Sequence, residues 1–215
     1  MIISILNQKG GVGKTTLAVH IAAYLALKKK SVLLIDADPQ GSSLKWASVR
    51  AKLEKKLLFP VIGLPTDTIH KEISQHQDKY EYIIIDGPPR VNELAASAII
   101  ASDIVVIPVQ PSPWDVWATN EILTLIDRTR VFNENRKIVF TINRKIVNTA
   151  IGRDVREALR ETAKNIPVLK TVIHQRVAFA DSASTGSIVM EEGRDKQAID
   201  EIAALVKEII KVGGK

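Results

Sequence analysis

The chain has 215 residues, 46% of them hydrophobic, enough to bury one substantial core, so we expect a single domain over residues 1–215. The absence of cysteine excludes disulfides and thiolate metal sites and fits a cytoplasmic protein. No apolar run approaches the about 20 residues of a membrane span, and the start of the sequence lacks the pattern of a secretory signal. The net charge of +6 is suggestive of a polyanionic partner, but it is also common in ordinary soluble proteins.

Two kinds of segment alternate along the chain. Apolar, β-branched runs predict strands at 2–6, 32–36, 82–86, 104–109, 138–142 and 168–173, with a further candidate at 57–62. Helices are predicted at 15–28, 42–56, 66–78, 91–101, 115–130 and 151–164, before an amphipathic helix within 194–215. Strands that are apolar throughout and alternate with helices indicate an α/β fold, with a mostly parallel sheet covered on both faces.

A glycine-rich segment follows the first predicted strand and precedes the first helix. It comprises Gly10, Gly11, Val12 and Gly13, followed by Lys14, Thr15 and Thr16. Glycines permit backbone angles that turn successive N–H groups toward one phosphate, and the helix N-terminus adds its positive dipole end. In such a loop Lys14 reaches the β- and γ-phosphates of a nucleotide, and the Thr15 hydroxyl ligates Mg²⁺. This predicts a P-loop NTPase that binds a nucleoside triphosphate with Mg²⁺.

The loop departs from the common phosphate-loop pattern at two positions. The common pattern begins with glycine where this chain has Gln8, and a second lysine, Lys9, follows it. The segment from Lys9 to Thr16 resembles the deviant Walker ATPases of the ParA/MinD family. Further segments resemble that family's later motifs in the same order: 35–41, 83–89 and 108–113. With Gln8, and with a chain that opens on its first strand, the resemblance is greatest to short ParA-type partition ATPases, usually plasmid-encoded, without an N-terminal helix-turn-helix.

Three aspartates follow predicted strands at the expected ligand-binding edge of the sheet. Asp86 ends the strand 82–86, where a carboxylate can hold the Mg²⁺ shell through water. The resemblance implies that Asp38 orients the attacking water, while Asp36 assists the magnesium shell or hydrogen-bonds the loop. Either of these two aspartates can instead be an ordinary turn residue, and Asp36 is the next candidate for the role of Asp38.

The resemblance assigns further roles to Lys9 and Asn143. It implies that Lys9 crosses the interface of an ATP-dependent sandwich homodimer, where a second cation stabilises charge on the γ-phosphate of the partner's ATP. If two loops meet face to face, Gly10 should tolerate no side chain. Asn143, which we expect just after a strand at the same edge, is predicted to read adenine; a turn asparagine is the alternative.

The basic residues of the last two elements are candidates for DNA contacts. In the family, non-specific DNA contacts come largely from this part, and the segment 173–177 resembles the loop that supplies an arginine there, here Arg176. The further candidates are Lys170, Lys207 and Lys211, and a solvated charged face is the alternative for all four. The chain shows no aromatic interleaving of these cations, which argues against stacking of single-stranded bases. Its three tryptophans fit helix packing or a partner surface better: Trp46, Trp114 and Trp117.

The resemblance implies a partition ATPase that dimerises on ATP, coats duplex DNA without sequence preference and associates with the nucleoid. A ParB-type adaptor bound to the cargo would stimulate hydrolysis. Three alternatives stay open: a MinD-like membrane-cycling regulator, a positioning ATPase for another cargo, and a metabolic enzyme such as an ATP-dependent ligase. The membrane alternative is weakened because the last helix carries several acidic residues on its polar side and no bulky aromatic anchor.

Overall fold

A computed structural model describes residues 1–90, 92–147 and 151–214, without the side chains of 151–153. Its centre is a seven-stranded sheet in which all strand pairs are parallel. The strands are β1 (Ile2–Ile5), β2 (Val32–Asp36), β3 (Val61–Gly63), β4 (Tyr82–Asp86), β5 (Ile104–Val109), β6 (Lys137–Lys145) and β7 (Val168–His174). Their order across the sheet is β3-β2-β4-β1-β5-β6-β7, which confirms the predicted α/β class.

The helices cover the sheet on both faces. They are α1 (Lys14–Leu27), α2 (Ser42–Lys52), α3 (Ile69–Glu72), α4 (Glu93–Ala101), α5 (Pro113–Arg128), α6 (Ile151–Thr162), α7 (Val177–Ser184), α8 (Val189–Glu192) and α9 (Lys196–Val212). One hydrophobic cluster joins α1, α2, α7, α8 and α9 to one face of the sheet, and the other cluster joins α3, α4, α5 and α6 to the opposite face. Both faces are therefore apolar, as the uninterrupted hydrophobic strands require.

The structure differs from the sequence prediction in four segments. The helix predicted at 66–78 is only α3 and a 3-10 turn at Ile73–Gln75, and the candidate strand at 57–62 is the short β3. Asn143 lies inside β6, which is longer than predicted, and does not follow it. Between β7 and α9, where the sequence pattern predicts no element, the chain forms α7 and α8. Short apolar segments carry too few periods to distinguish a helical turn from a strand or loop.

The register of the sheet brings the predicted motifs to one edge. Asp86 at the end of β4 pairs with Ile5 of β1 on one side and with Asp36 of β2 on the other. The glycine-rich loop continues from β1, so it leaves the sheet next to both carboxylates. Parallel strands place all their carboxyl ends at one edge, and ligands bind there in folds of this kind.

The last helix packs on the protein itself. Five residues of α9 form a buried stripe: Ala198, Ile202, Leu205, Val206 and Ile209. This stripe belongs to the same hydrophobic cluster as α1 and β7. Among the described residues, no helix is long and apolar enough to cross a membrane.

Candidate functional site

Side chains outside the glycine-rich loop donate hydrogen bonds to its carbonyl groups. The Asn143 amide donates to the Val12 carbonyl at 2.6 Å, and the Gly11 carbonyl accepts from Arg144 at 2.6 Å and from Gln110 at 3.0 Å. Within the described residues, the N–H groups of Gly10, Gly11 and Gly13 donate no hydrogen bond. The loop therefore presents free donors, as an anion-binding loop must.

Gly13 is required by its backbone angle and by its surroundings. Its φ of 89° lies in the left-handed region, and a Cβ there would lie 2.4 Å from the Asn143 amide nitrogen. Gly13 directly precedes α1, so the turn places the unpaired N–H groups of the first helical turn, including those of Thr15 and Thr16, beside the loop.

Lys14 is buried next to two of the predicted aspartates. Its side chain is 8% exposed, and its Nζ donates to the Lys9 carbonyl at 3.3 Å. Burial lowers the pKa of Lys14, while the charges of Asp86 and Asp38 raise it. A buried cation that contacts one carbonyl keeps donors available for an anionic ligand.

Lys9 contacts a residue that sequence reasoning missed. Its Nζ lies 2.5 Å from Oδ2 of Asp115 in the first turn of α5. Asp115 is 2% exposed and its other oxygen, Oδ1, has no hydrogen-bond partner, whereas the Lys9 side chain is 38% exposed. Gln8 reaches the same helix, donating to the Ala118 carbonyl at 2.6 Å. Both unusual residues of the loop thus bind α5.

Asp86 and Asp36 are fully buried side by side. The Ser43 hydroxyl donates to Asp86 Oδ2 at 2.8 Å, while Asp86 Oδ1 has no partner. Burial raises the pKa of Asp86 to about 7, although the hydroxyls of Ser43 and Thr15 lower it. Burial also raises the pKa of Asp36, against backbone N–H donors that include Leu44.

Asp38 is the accessible aspartate of the three. Its side chain is half-buried and lines the cavity above the loop, and its Oδ1 accepts from the Gln40 N–H at 2.8 Å. Its own N–H donates to Asp36 at 3.2 Å. The two aspartates therefore differ in access to a ligand: Asp38 faces the cavity, and Asp36 binds the backbone of its own loop.

The cavity has a volume of about 1080 Å³ and two kinds of lining. The polar and charged part includes the loop glycines with Lys14, Thr15 and Asp38, and further residues from β6 and β7 onward: Asn143, Arg144, His174, Gln175 and Arg176. The apolar part comes from β7 and from the segments that follow β6 and β7: Ile146, Val147, Ile173, Val177 and Phe179. A cavity that combines anion-binding groups with apolar side chains is suited to a nucleotide, because phosphates and a base require these two kinds of contact.

The described residues fit a magnesium ion held through few protein ligands. No group of three or more His, Asp or Glu side chains that could hold a metal was found among them. The unpaired, buried Asp86 Oδ1 is the kind of oxygen that such an ion or its water would satisfy. Mg²⁺ commonly keeps several waters and binds through one or two protein groups plus substrate phosphates.

The four predicted DNA contacts divide into two groups. Arg176 is mostly buried and paired: its guanidinium lies 2.8 Å from Glu201 and 3.4 Å from Asp195, both on or next to α9. The other three are exposed: Lys170, Lys207 and Lys211. Glu208 of α9 accepts from the Lys170 N–H at 2.6 Å, so these lysines lie where β7 meets α9.

The tryptophans also divide by exposure. Trp46 is buried and stacks on Phe59, with ring centroids 5.8 Å apart. Trp114 and Trp117 are 71% and 59% exposed and contact each other edge to face, at the start of α5 on either side of Asp115.

Comparison with known proteins agrees with this geometry. A family profile described as the CobQ/CobB/MinD/ParA nucleotide-binding domain matches residues 3–189. The chain belongs to this family. Membership confirms the resemblance inferred from the motifs.

The chain is similar to family members along nearly its whole length. It is 29% identical to the maintenance of carboxysome distribution protein A of Halothiobacillus neapolitanus, over 97% of this chain and 95% of that protein. It is 28% identical to the chromosome-partitioning ATPase Soj of Thermus thermophilus, over 97% and 94%. Among solved structures, apo McdA from Cyanothece superposes with a TM-score of 0.82 at 17% identity, covering 97% of this chain and 98% of that one, which supports the fold.

Proposed function

We propose that this protein is a Mg²⁺-dependent ATPase of the ParA type that forms an ATP-dependent dimer and binds duplex DNA without sequence preference. In this role it segregates or positions a DNA cargo. The observation that carries the proposal is the arrangement at the loop: free N–H donors, a buried Lys14 and a cavity-facing Asp38, beside a second lysine stored on Asp115.

The chain's own groups account for binding of the triphosphate. The loop N–H groups and Lys14 would bind the β- and γ-phosphates, and the Thr15 hydroxyl and Asp86 would hold Mg²⁺, Asp86 through water. Asp36 supports this arrangement by fixing the backbone of residues 38 and 44. When bound, Mg²⁺ supplies positive charge that stabilises the phosphate oxygens during transfer.

Asp38 is the group that positions water for hydrolysis. The oxygen of that water attacks the γ-phosphorus, the bond from this phosphorus to the β–γ bridging oxygen breaks, and ADP and phosphate result. Asp38 accepts a hydrogen bond from the water, and Lys14 stabilises the charge on the phosphates. The half-buried position of Asp38 in the cavity lining suits this role, and the fully buried Asp36 lacks the access it requires.

Dimerisation is proposed from Lys9 and Gly10. Lys9 is partly exposed beside the loop and is bound to only one carboxylate, so it can exchange Asp115 for a phosphate of a facing copy. A Cβ on Gly10 would meet nothing within 4 Å in the single chain. A side chain at Gly10 is therefore compatible with the fold of the single chain, and we expect it to obstruct a second copy that approaches the loop.

DNA binding is proposed through the exposed lysines at the junction of β7 and α9. Lys207 and Lys211 lie one helical turn apart on the outer side of α9, and Lys170 is adjacent. Arg176 pairs with Glu201, and Lys170 lies beside Glu208, seven residues further along α9. Seven residues of a helix span about 10 Å, so Arg176 and the three lysines lie about 10 Å apart along α9. Its two ion pairs would have to loosen for it to contact phosphate.

A cargo other than DNA is the second candidate. The carboxysome-distribution relative, matched over nearly the full chain, favours a positioning ATPase for another cargo as the second candidate. A MinD-like membrane cycle has less support, because the apolar stripe of α9 is buried in the core. In the proposed function a ParB-type adaptor stimulates hydrolysis.

A binding assay with random-sequence duplex DNA, repeated with ATP, with ADP and without nucleotide, tests the proposal. We expect binding that requires ATP. Lipid vesicles are the parallel sample, and binding to vesicles in place of DNA would replace the proposal with the membrane-cycling alternative. A Gly10→Val variant is the control for dimerisation: it should bind ATP as a monomer and lose ATP-dependent DNA binding.

A further inference from the structure

The first turn of α2 is attached to both buried aspartates at once. Ser43, which is fully buried, donates its hydroxyl hydrogen to Asp86 Oδ2 at 2.8 Å. The next residue, Leu44, donates its N–H to Asp36 Oδ2 at 3.0 Å. These bonds join α2 to the ends of β4 and β2, which are neighbours in the sheet.

The same turn continues the loop that carries Asp38. The Asp38 N–H binds Asp36 Oδ1 at 3.2 Å, and the Asp38 carbonyl accepts from the Gly41 N–H at 2.9 Å. Gly41, with a φ of 64°, directly precedes α2. A short path therefore connects Asp38 with Asp86. It runs through the hydrogen bonds of Asp38 and Leu44 to Asp36, and then across the Ser43–Leu44 peptide to the bond between Ser43 and Asp86.

Only one oxygen of Asp86 is left for a ligand. Ser43 occupies Oδ2, and Oδ1 is buried without a partner. A carboxylate with neither oxygen bound can rotate about its terminal torsion, which has a broad energy profile. The bond from Ser43 restricts that freedom, beside the nearby Thr15 hydroxyl, and leaves Oδ1 as the oxygen available to a metal or its water.

We propose that Ser43 is a positioning residue that orients Asp86 for magnesium and couples this carboxylate to the segment bearing Asp38. The proposal rests on the proposed ATPase function. Ser43 acts through Asp86 and contacts neither nucleotide nor metal itself. Outer partners of metal-binding carboxylates commonly influence metal affinity through this kind of orientation.

The test compares Ser43→Ala with the parent by calorimetric titration of ADP at a series of Mg²⁺ concentrations. Mg²⁺ is expected to increase the affinity for ADP, and the Mg²⁺ concentration at half of this increase should be about three- to tenfold higher for the variant than for the parent. This range lies at or below the smallest loss of metal affinity that is typical when a residue hydrogen-bonded to a metal ligand is removed. ADP affinity without Mg²⁺ should stay unchanged, because the loop and Lys14 are untouched. A purely structural serine would alter both affinities or neither.

Two further variants separate positioning from general loss of stability. Ser182→Ala removes another fully buried hydroxyl, one that donates to the Phe179 carbonyl away from Asp86, and should leave the Mg²⁺ dependence unchanged. Ser43→Thr retains a donor and should restore the parent's Mg²⁺ dependence, with thermal unfolding used to check that the added methyl group is accepted.

The outcomes distinguish this inference from the proposed function. If the parent's ADP affinity does not depend on Mg²⁺, the proposed Mg²⁺-dependent ATPase is wrong. If the parent depends on Mg²⁺ and a folded Ser43→Ala variant has the same dependence, Ser43 has no positioning role and the ATPase proposal stands.

Discussion

Lys9 and Asp115 form an ion pair that joins the nucleotide loop to α5, with 2.5 Å between Nζ and Oδ2. The two side chains differ in environment, since Asp115 is 2% exposed and Lys9 is 38% exposed. Lys9 is the only cation paired with Asp115 among the described residues. The lysine that distinguishes this loop from an ordinary phosphate loop is therefore held in the single chain by a residue 106 positions away.

Lys9→Ala should spare binding of nucleotide to the single chain while weakening ATP-dependent dimerisation and hydrolysis together, because Lys9 is proposed to act on the partner's nucleotide. Sedimentation with a slowly hydrolysed ATP analogue measures the dimer. The variant also leaves the Asp115 charge buried and unpaired, which should lower the free energy of unfolding by about 3 kcal/mol, the lower end for a broken buried pair because Lys9 is partly exposed.

The double variant Lys9→Ala/Asp115→Asn is the matched control for that orphaned charge. It should recover most of the lost stability without recovering dimerisation. Equal dimer formation by parent and Lys9→Ala would mean that Lys9 only anchors the loop to α5.

Lys14→Ala should abolish tight ATP binding, because the phosphates lose a cation that is already buried at the loop. Titration with a fluorescent ATP analogue gives the affinity, and we expect a loss of at least about a hundredfold, the scale of about 3 kcal/mol for removing a charged hydrogen-bond donor. Unchanged affinity would contradict the phosphate-loop assignment.

Asp38→Ala should bind ATP normally, lose hydrolysis and accumulate as an ATP-bound dimer, because Asp38 faces the cavity and binds no group that holds the nucleotide. Phosphate release measured under saturating ATP should fall about a hundredfold or more, as expected for a group that positions the reacting water. Should hydrolysis continue at the parent's rate, Asp38 does not position the water.

Arg176→Gln should weaken binding to random duplexes uniformly and flatten the slope of log affinity against log salt by about one, if Arg176 contacts a phosphate. We choose Gln because a glutamate there would face both Glu201 and Asp195. Thermal unfolding should be followed in parallel, since the variant loses two ion pairs.

The comparison variant is Lys207→Gln/Lys211→Gln, which removes two exposed lysines that form no ion pair with the described part of the chain. If this variant loses DNA affinity and Arg176→Gln does not, the contacts lie at the junction of β7 and α9, and Arg176 is a structural residue.

His20 should make stability fall with acidification. Burial lowers its pKa to about 4, and the neutral ring contacts the Thr16 carbonyl at 2.7 Å and accepts from the Val189 N–H at 3.3 Å. Because the unfolded histidine titrates near 6.5, the unfolded state binds more protons between about pH 6.5 and 4. The contribution of His20 to the free energy of unfolding is complete above that range. Within the range it declines by up to about 1.4 kcal/mol for each pH unit of acidification.

Urea unfolding of the parent and of His20→Gln at several pH values isolates this term. Between pH 7 and 4, the free energy of unfolding of the parent should fall by about 3 kcal/mol relative to that of the variant. The subtraction is needed because the raised pKa of Asp86 has the opposite effect, stabilising the folded state as pH falls from about 7. Parallel curves for the two proteins would contradict the assignment to His20.

The sequence alone determined the sheet, the loop and the aspartates. Strands that are apolar on both faces can be buried only between two helical layers. A loop between β1 and α1 that has three glycines and Lys14 is typical of phosphate binding. These are local signals, carried by residues close together in the chain. The family, the fold class and the edge at which Asp36, Asp38 and Asp86 meet followed from them.

Only the tertiary structure decided the partners of these residues. Three pairs show this. Lys9 and Asp115 are 106 positions apart in the sequence, Asp86 and Ser43 are 43 apart, and Arg176 and Glu201 are 25 apart. No periodicity or motif encodes such pairs, because they depend on which strands are neighbours and how helices pack on them. Likewise, exposure decided that Asp38 faces the cavity while Asp36 is buried, since two aspartates in one short loop look equivalent until the packing of α2 separates them.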